Sequence, residues 1–396
     1  MTPGALEGVR VLEFSEAIAA PLSGMLLGDM GADVIKVEPP AGESGRHVVQ
    51  SAADSRGFLA LNRNKRAIAI DLKSPVGQAV IHRLVSTVDV VIINYRPETA
   101  SALKIDYATL AAINSRLIYA DITAVGRRGP DSHRAGYDVI VQAISGLMAA
   151  GERSEGGIPL PINPPVSDLS SGIVLAWAVC AALFARERTG VGQKVGTSLL
   201  ASALLLQGAQ FLRATGPPPD PDWSALSYPY YRSYRTSDGM VSIAAVTPVM
   251  RRRLESATGV VHPLHGQRQI RRDSPEAAAM TSQFLVELTE AMSRRTTGEW
   301  LKVFDEAGVP AGRYRVVGEL VDDPQVRAND LAVEVDHPLL GAVTMVGPVV
   351  DMSGTPTAAR LASPTIGQHN ADVLTEIGYS EADVAQLVQA GVLSGS

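Results

Sequence analysis

Asp168 is the residue whose surroundings most strongly suggest chemistry. It lies between two serines in the segment PVSDLSSG, and the run 173–185 that follows carries no charge. At the start of a helix, Ser and Asp accept hydrogen bonds from the free N–H groups of the first turn, and a negative charge suits that end of the helix dipole. The local sequence therefore predicts that Asp168 caps a buried helix. The alternative is a carboxylate, removed from bulk water, that acts as a nucleophile.

Other residue types that commonly do chemistry show no recognisable pattern. The only cysteine, Cys180, falls inside the apolar run, where a small buried hydrophobe is expected rather than a reactive thiol. The seven histidines lack the spacing of metal ligands, so no metal site is predicted. No P-loop, G-x-S-x-G or H-E-x-x-H motif occurs.

Composition and charge exclude several classes of protein. With 396 residues, 46% of them hydrophobic, the chain can bury a large core and is long enough for two domains. Lys and Arg total 35 against 41 Asp and Glu, and no basic block occurs, so nucleic acid is not an expected partner. The apolar run is shorter than the ~20 residues that span a bilayer, and the N-terminus lacks a secretory pattern. We therefore expect a cytoplasmic protein with no membrane partner.

The elements that would position Asp168 alternate between strands and helices. Strand patterns occur at 9–14, 32–38, 66–72, 89–95 and 117–125, with helical patterns at 19–31, 75–88 and 98–113. This alternation predicts an α/β fold with a Rossmann-like, doubly wound parallel sheet. No G-x-G-x-x-G follows the first strand, so neither a nicotinamide nor a flavin cofactor is predicted.

The second half of the chain has a different organisation. A Pro-rich segment at 214–229 is typical of a linker, and 230–246 predicts a hairpin around an Asp-Gly turn. Helical patterns follow at 247–257, 275–295 and 297–307, and a second hairpin and a helical pair lie towards the end. We predict a large Rossmann-like domain (1–213), the linker, a small α+β domain (230–325) and a C-terminal segment (326–396).

Seven segments, in order and over essentially the whole chain, resemble the class III CoA-transferases. This family also contains the carnitine CoA-transferase type and the α-methylacyl-CoA racemases. The segments are GVRVLEFSEAIAAPLSGMLLGDMGADVIKVEPP, LNRNKRAIAIDLKSP, VVIINYRPE, RAGYDVIVQAISGLM, SDLSSGIVLAWAVCAALFARERTGVGQKV, YRTSDGMVSIAA and GQHNADVLTEIGYSEADV. The resemblance implies that the C-terminal segment completes a CoA-binding large domain and that two subunits form an interlocked homodimer.

The resemblance also implies a reaction. Asp168 would attack an acyl-CoA thioester to form a mixed anhydride, and the released CoA thiolate would convert it into an aspartyl-CoA thioester. A carboxylic acid acceptor would then reverse both steps, so that CoA is the co-substrate and neither ATP nor metal is used. A carboxylate is expected to be ionised at pH 7 without the help of a base.

The remaining site residues follow from the resemblance. CoA carries a 3′-phosphate and a pyrophosphate, which call for Lys and Arg donors. Pro39 departs from the basic residue of some members, so that contact is expected to be missing or supplied by Arg46 or Lys65. The residues predicted to bind acyl-CoA are Ala17, Ile18, Pro39, Lys73, Asn94, Tyr95, Arg96, Arg134 and Tyr137.

Two alternatives share this resemblance. A racemase needs a base on each face of the α-carbon, and the His of that branch falls in a G-H-D triplet. Here the triplet is Gly136-Tyr137-Asp138, and a phenol with an ordinary pKa of about 10 is a poor base. His133 is a displaced substitute, so the pattern favours a transferase. The second alternative, a non-catalytic CoA-binding homologue, is disfavoured by the retention of Asp168.

The acyl pocket has no clear residue pattern. Some transferases of the family close a glycine-rich loop over the site, but the corresponding segment 242–253 has no glycine. Arg134, Arg232 and Arg235 are candidates to receive a second carboxylate of an acid substrate.

Overall fold

The polypeptide divides into two units. The large unit comprises residues 1–212 and 324–396, and the small unit comprises residues 213–323. The computed structural model describes residues 2–47, 54–151, 153–154, 156–216, 229–265 and 274–394. Most of the predicted linker, 217–228, therefore lies outside the described residues.

Residues up to 212 form a parallel sheet with helices between its strands. In chain order the elements are β1 (Arg10–Phe14), α1 (Ala19–Asp29), β2 (Asp33–Glu38), α2 (Arg56–Leu61), β3 (Lys65–Ala69), α3 (Pro75–Val85), β4 (Val90–Ile93), α4 (Pro97–Ala102), α5 (Tyr107–Ile113), β5 (Ile118–Thr123), α6 (Asp138–Ile144), α7 (Val166–Thr189), β6 (Lys194–Ser198), α8 (Leu199–Leu206) and α9 (Gly208–Phe211). The strands are parallel in the spatial order 3-2-1-4-5-6. The predicted parallel α/β sheet is confirmed. In open sheets with this strand order, ligands bind beyond the carboxyl ends of the strands.

Two details of this sheet differ from the sequence prediction. The predicted helix 98–113 is divided into α4 and α5, because Lys104 has a left-handed φ of 56° and Asp106 caps the second helix through the N–H of Thr109. Strand β6 has the sequence KVGTS, whose small and polar residues give no strand pattern, and it lies at the sheet edge. Pairing with β5, rather than local preference, makes this segment a strand.

The small unit contains an antiparallel sheet covered by helices. Its elements are β7 (Tyr231–Arg235), β8 (Met240–Ala244), α10 (Pro248–Thr258), α11 (Pro275–Ser293), α12 (Thr297–Ala307) and β9 (Ala311–Arg313). The predicted hairpin and the three predicted helices are present, and β9 adds a third strand beside β8. Val241, Phe284 and Phe304, all fully buried, lie in the core of this unit.

The chain then returns to the large unit. The last elements are α13 (Pro324–Ala328), β10 (Ala332–His337), β11 (Gly341–Val346), α14 (Asn370–Glu376) and α15 (Glu381–Gln389). Asn370 accepts a hydrogen bond from the N–H of Ala69, and the ring of His369 accepts one from Ala67, both at 3.0 Å. These bonds attach the start of α14 to β3, one of the two edge strands of the sheet.

The central sheet is buried on both faces, because side chains alternate along its strands. Val11 and Val90 lie in one core with α1 and α7. Leu12 and Val91 lie in the other core with α3 and the terminal helices. Helices α1 and α7 therefore pack on the same face, and their relative position is set by this core.

Helix α7 contains the predicted apolar run and extends it to 24 residues. The prediction that no segment reaches transmembrane length is wrong, since α7 is long and apolar enough to cross a membrane by length and composition. Leu175 and Val179, however, are fully buried inside the large unit. One side of α7 is therefore part of a protein core.

Candidate active site

A cleft of about 520 Å³ lies in the large unit, at the carboxyl ends of the parallel strands. The segments that follow β1, β2, β3, β4 and β5 all contribute to it, as does the start of α8. The ten residues predicted for the site all line this one cleft: Ala17, Ile18, Pro39, Lys73, Asn94, Tyr95, Arg96, Arg134, Tyr137 and Asp168. The fold thus brings together residues that are up to 151 positions apart (168 minus 17).

Asp168 is the third residue of α7 and does not cap it. The N-cap position is Pro165, and no side chain at that position bonds the first turn. Asp138, the first residue of α6, accepts hydrogen bonds from the N–H groups of Ser167 at 2.8 Å and Asp168 at 3.3 Å, and from the Ser167 hydroxyl. Gln142 donates to the other Asp138 oxygen at 2.5 Å. The capping prediction for Asp168 is therefore wrong, because a carboxylate from another helix occupies that role.

The electrostatic environment of Asp168 favours its neutral form. Burial raises the pKa of Asp168 to about 7, and the nearby Asp138 carboxylate adds to this rise. No hydrogen bond or cation from the described part of the chain offsets these two effects. The expectation of a fully ionised carboxylate at pH 7 is therefore wrong, because a carboxyl group with a pKa of about 7 is only partly ionised there.

The loop between β1 and α1, residues 15–18, forms the wall of the cleft at the start of α1. Asn94 accepts a hydrogen bond from the Glu16 N–H at 3.1 Å and donates one to the Glu16 carbonyl at 2.8 Å. Both polar groups of this predicted binding residue are thus engaged with the backbone of the loop. The structure adds Glu16 and Ser44 to the cleft, where the Ser44 hydroxyl donates to Glu16 at 2.8 Å.

The cations of the cleft lie on exposed segments. Lys73 and Arg96 are exposed, and neither forms an ion pair with another residue that the structure describes. Arg134 pairs with Asp131 at 3.0 Å, and both side chains are largely exposed. Burial, together with the carboxylates of Glu16 and its neighbours, raises the pKa of Tyr95, so its hydroxyl remains a hydrogen-bond donor at neutral pH. The cleft therefore offers donors suited to phosphate groups.

Neither substitute proposed for the Pro39 position is available. Arg46 is buried, where it donates to both oxygens of Glu38 at 2.7 Å and to Asp54 at 2.7 Å. Lys65 is also fully buried and pairs with Glu13 at 2.9 Å. The alternative in which Arg46 or Lys65 supplies this phosphate contact is wrong, because each is already bound to a buried carboxylate. The other alternative, that the contact is missing, stays a prediction.

The residues that distinguish a racemase from a transferase also line the cleft. Tyr137 precedes α6 with 73% of its surface exposed, and His133 is exposed four residues earlier. Asp138, the last residue of the triplet, is buried and bonded to the first turn of α7. The sequence gives no sign that Asp138 caps the first turn of α7, because Asp138 lies 30 residues before Asp168 and approaches it only in the folded chain.

Comparison with known proteins now identifies the family. The model of CoA-transferase family III matches residues 6–370, and the chain belongs to this family. It is therefore a CoA-transferase, as predicted.

Relatives and solved structures cover nearly the whole chain. The succinyl-CoA:glutarate CoA-transferase of Mus musculus is 33% identical, over 98% of this chain and 90% of its own length. The succinate–glutarate CoA-transferase of Agrobacterium fabrum is 34% identical, over 94% of this chain and 95% of its own. The crystal structure of Rv3272 from Mycobacterium tuberculosis is 32% identical, with a TM-score of 0.79 over 94% of this chain and 99% of that one. A CAIB/BAIF family protein from Brucella suis is 28% identical, with a TM-score of 0.80 over 95% and 100%.

Proposed function

We propose that this chain moves CoA from an acyl-CoA to a carboxylic acid acceptor through covalent intermediates on Asp168. The observation that carries the proposal is a cleft-lining carboxylate that is largely removed from water and has no stabilising partner among the described residues. A carboxylate paired with Arg or Lys is a poor nucleophile, because attack must first break that pair. Asp168 has no such pair, and its raised pKa marks a more basic and more reactive oxygen.

The proposed cycle balances without an external reagent. An Asp168 oxygen attacks the thioester carbon, the C–S bond breaks, and CoA leaves as a thiolate. The thiolate attacks the aspartyl carbonyl of the anhydride and expels the first acid as its carboxylate. The acceptor carboxylate attacks the resulting aspartyl-CoA thioester, so that the C–S bond breaks, CoA thiolate is released and a second anhydride forms. The thiolate then attacks the acceptor's carbonyl in this anhydride and frees the Asp168 carboxylate. One thioester is exchanged for another, so little net free energy is needed.

The cleft residues divide into two proposed roles. Lys73 and Arg96 would bind the phosphates of CoA, since each presents a positive charge at the exposed part of the cleft. Ala17 and Ile18 would contact the pantetheine or acyl portion near Asp168, because the loop leads directly into α1, which packs against α7. Both roles are consistent with the carboxyl ends of parallel strands as the binding edge.

We propose a dicarboxylic acyl-CoA as the donor to test first. Relatives from Mus musculus, Chloroflexus aurantiacus and Haloarcula hispanica are named for succinyl-CoA. Arg134 lines the cleft, and its only ion pair among the described residues is with exposed Asp131, so its guanidinium can turn towards a distal carboxylate. A bidentate Arg–carboxylate pair would select such acids over monocarboxylates.

We also propose that the chain is a homodimer, interlocked as the family resemblance implies. Several large apolar side chains on α7, α8 and α9 are more than half exposed, which in a monomer is unfavourable and marks an interface. They are Ile173, Trp177, Phe184, Leu205 and Phe211. Light scattering tests the proposal: the native chain should have twice its monomer mass, and Trp177→Glu should weaken the association. A monomer at micromolar concentration would contradict it.

The cytoplasmic location remains a prediction.

Hydroxylamine trapping tests the covalent mechanism. The purified chain is incubated with succinyl-CoA and hydroxylamine, and peptide mass spectrometry reads the modification at Asp168. Conversion of Asp168 to its hydroxamate, absent in Asp168→Asn, is the expected result. Transfer that proceeds with Asp168 unmodified would overturn the mechanism, and solvent deuterium entering the acyl α-carbon would point to a racemase.

A further inference from the structure

Four ionisable side chains lie fully buried beneath the β1–α1 loop. They are Glu13, Lys36, Glu43 and Lys65, called here the buried ion cluster, and each is at most 1% exposed. Glu13, Lys36 and Lys65 come from the neighbouring strands β1, β2 and β3, whereas Glu43 follows β2. None of them lines the cleft. The proposed chemistry therefore leaves this cluster without a role.

The cluster is linked by short ionic contacts. The Lys36 ammonium lies 3.3 Å from Glu13 and 3.3 Å from Glu43, and the Lys65 ammonium lies 2.9 Å from Glu13. Burial alone would lower the pKa of Lys36, but Glu13 and Glu43 outweigh it and the pKa lies above its ordinary value. Buried ion pairs of this kind add little net stability compared with apolar residues of the same size. Their presence calls for an explanation other than stability.

Each of three members of the cluster bonds the backbone in or beside the loop. Lys36 donates to the Ser15 carbonyl at 3.0 Å, and Glu43 accepts from the Ala17 N–H at 3.1 Å. Lys65 donates to the carbonyl of Pro21, in the first turn of α1, at 2.8 Å. Backbone groups at the start of the loop, within it and just after it are thus bonded to one connected charge network.

The loop needs such support because its conformation is unfavourable. Ala17 has a φ of 66°, in the left-handed region. For a residue with a Cβ this conformation costs roughly 1–2 kcal/mol, so isolated chains avoid it. The bond from Glu43 falls on the N–H of this same residue. Ala17 is exposed in the cleft, so its strained conformation decides which backbone atoms face the substrate.

The start of α1 is also in close contact with the helix that carries Asp168. A Cβ built on Gly172, one turn beyond Asp168, would lie 2.6 Å from the Ala19 carbonyl oxygen. Ser23 donates to the Gly172 carbonyl at 2.9 Å. The loop therefore has little freedom to move relative to Asp168 without breaking either this contact or the buried ion cluster.

We propose that Lys36 and Glu43 are positioning residues for CoA transfer: the buried ion cluster sets the β1–α1 loop so that a thioester lying on Ala17 and Ile18 meets Asp168. This inference rests on the proposed function of Asp168. Misplacing a reacting group by about 1 Å can lower a rate by about 100-fold. The cluster thus acts on the rate of the chemical step and has no contact with the reacting atoms.

The test compares Glu43→Ala and Glu43→Gln with the matched control Asp29→Asn. Asp29 is a buried carboxylate at the other end of α1 that is paired with Arg63 at 2.6 Å, so its loss also removes a buried ion pair. We expect Glu43→Ala to lower kcat by about 10- to 100-fold with KM for acyl-CoA changed by less than about threefold. Glu43→Gln retains an oxygen for the Ala17 N–H and should lose less. Asp29→Asn should lower Tm but leave kcat within about twofold.

Hydrogen exchange without substrate provides the second readout. Peptides that cover residues 15–18 should exchange at least about tenfold faster in Glu43→Ala than in the native chain, and at the native rate in Asp29→Asn. Equal losses of kcat in Glu43→Ala and Asp29→Asn, or unchanged exchange of the loop, would overturn the proposal. If Glu43→Ala does not fold, Glu43→Gln and Lys36→Met give the same comparison. Failure to trap Asp168 in the native chain would refute the proposed function instead, and the exchange experiment would still decide whether the cluster positions the loop.

Discussion

Glu38 and Asp168 are two carboxylates that line the same cleft and have opposite environments. Glu38 accepts two hydrogen bonds from Arg46; although burial alone would raise its pKa, Arg46 and Lys36 lower it below its ordinary value. Asp168 has no such partner among the described residues, and burial raises its pKa to about 7. The same chemical group is therefore paired in one place, and in the other it is unpaired among the described residues and is the proposed nucleophile. The difference arises because a buried cation, Arg46, lies beside Glu38 and not beside Asp168.

The largest expected effect comes from removing the unpaired carboxylate. We expect Asp168→Asn to lower CoA transfer by at least about 1,000-fold, because no other described group in the cleft is proposed as a nucleophile. Acyl-CoA binding should persist, since the charged groups at the exposed part of the cleft are unchanged. Steady-state kinetics and calorimetric titration with CoA measure the two quantities. Transfer at more than a tenth of the native rate would refute the assignment.

Removing the paired carboxylate should instead affect stability. Glu38→Gln leaves the buried Arg46 without two of its charged hydrogen bonds, and we expect the free energy of unfolding to fall by about 3 kcal/mol. Urea denaturation measures this change. The control is Asp33→Asn, which disrupts the partly exposed pairs of Asp33 with Arg66 and Arg10 and should cost less than about 1 kcal/mol. Equal losses in the two variants would mean that burial of the ion pair is unimportant.

Charge removal at Asp168 should increase stability, in contrast with Glu38. The folded pKa of Asp168 is raised, so its contribution to stability is full below the unfolded pKa of about 4 and is lost as the pH rises through about 7. Asp168→Asn should therefore be more stable than the native chain at pH 8, by roughly 1–2 kcal/mol, with little difference at pH 4. Unfolding curves at both pH values test this. A destabilised variant at pH 8 would show that Asp168 does have a stabilising partner.

The smallest expected effect separates the two causes of the raised pKa. Acyl-enzyme formation should increase with pH to a plateau, with a midpoint near 7, because only ionised Asp168 attacks. Asp138→Asn keeps an oxygen to cap α7 but removes the repelling charge, so the midpoint should move to lower pH. The pH dependence of hydroxamate formation measures it. An unchanged midpoint would assign the whole shift to burial.

The sequence predicts where a strand ends and which residues follow it more reliably than it predicts which other side chains those residues contact. Apolar runs at 32–38 and 89–95 predict β2 and β4, and the resemblance places Pro39 and Asn94 directly after them. The same reasoning failed for Arg46 and Lys65, which have the right charge but are bound to buried carboxylates. Sequence position shows that a cation is near the site, but not whether it is already neutralised.

Asp168 illustrates both what the sequence can predict and what it cannot. By itself the sequence determined the parallel α/β sheet, the family resemblance, and a carboxylate placed ahead of an uncharged helix, because these depend on local periodicity and on the order of motifs. Only the tertiary structure decided that Asp138 caps α7, that Asp168 has no partner among the residues described, and that the buried ion cluster lies beneath the β1–α1 loop. The physical reason is that desolvation and Coulomb interactions depend on distance in space, and the groups that matter come from segments 21 or more residues away along the chain.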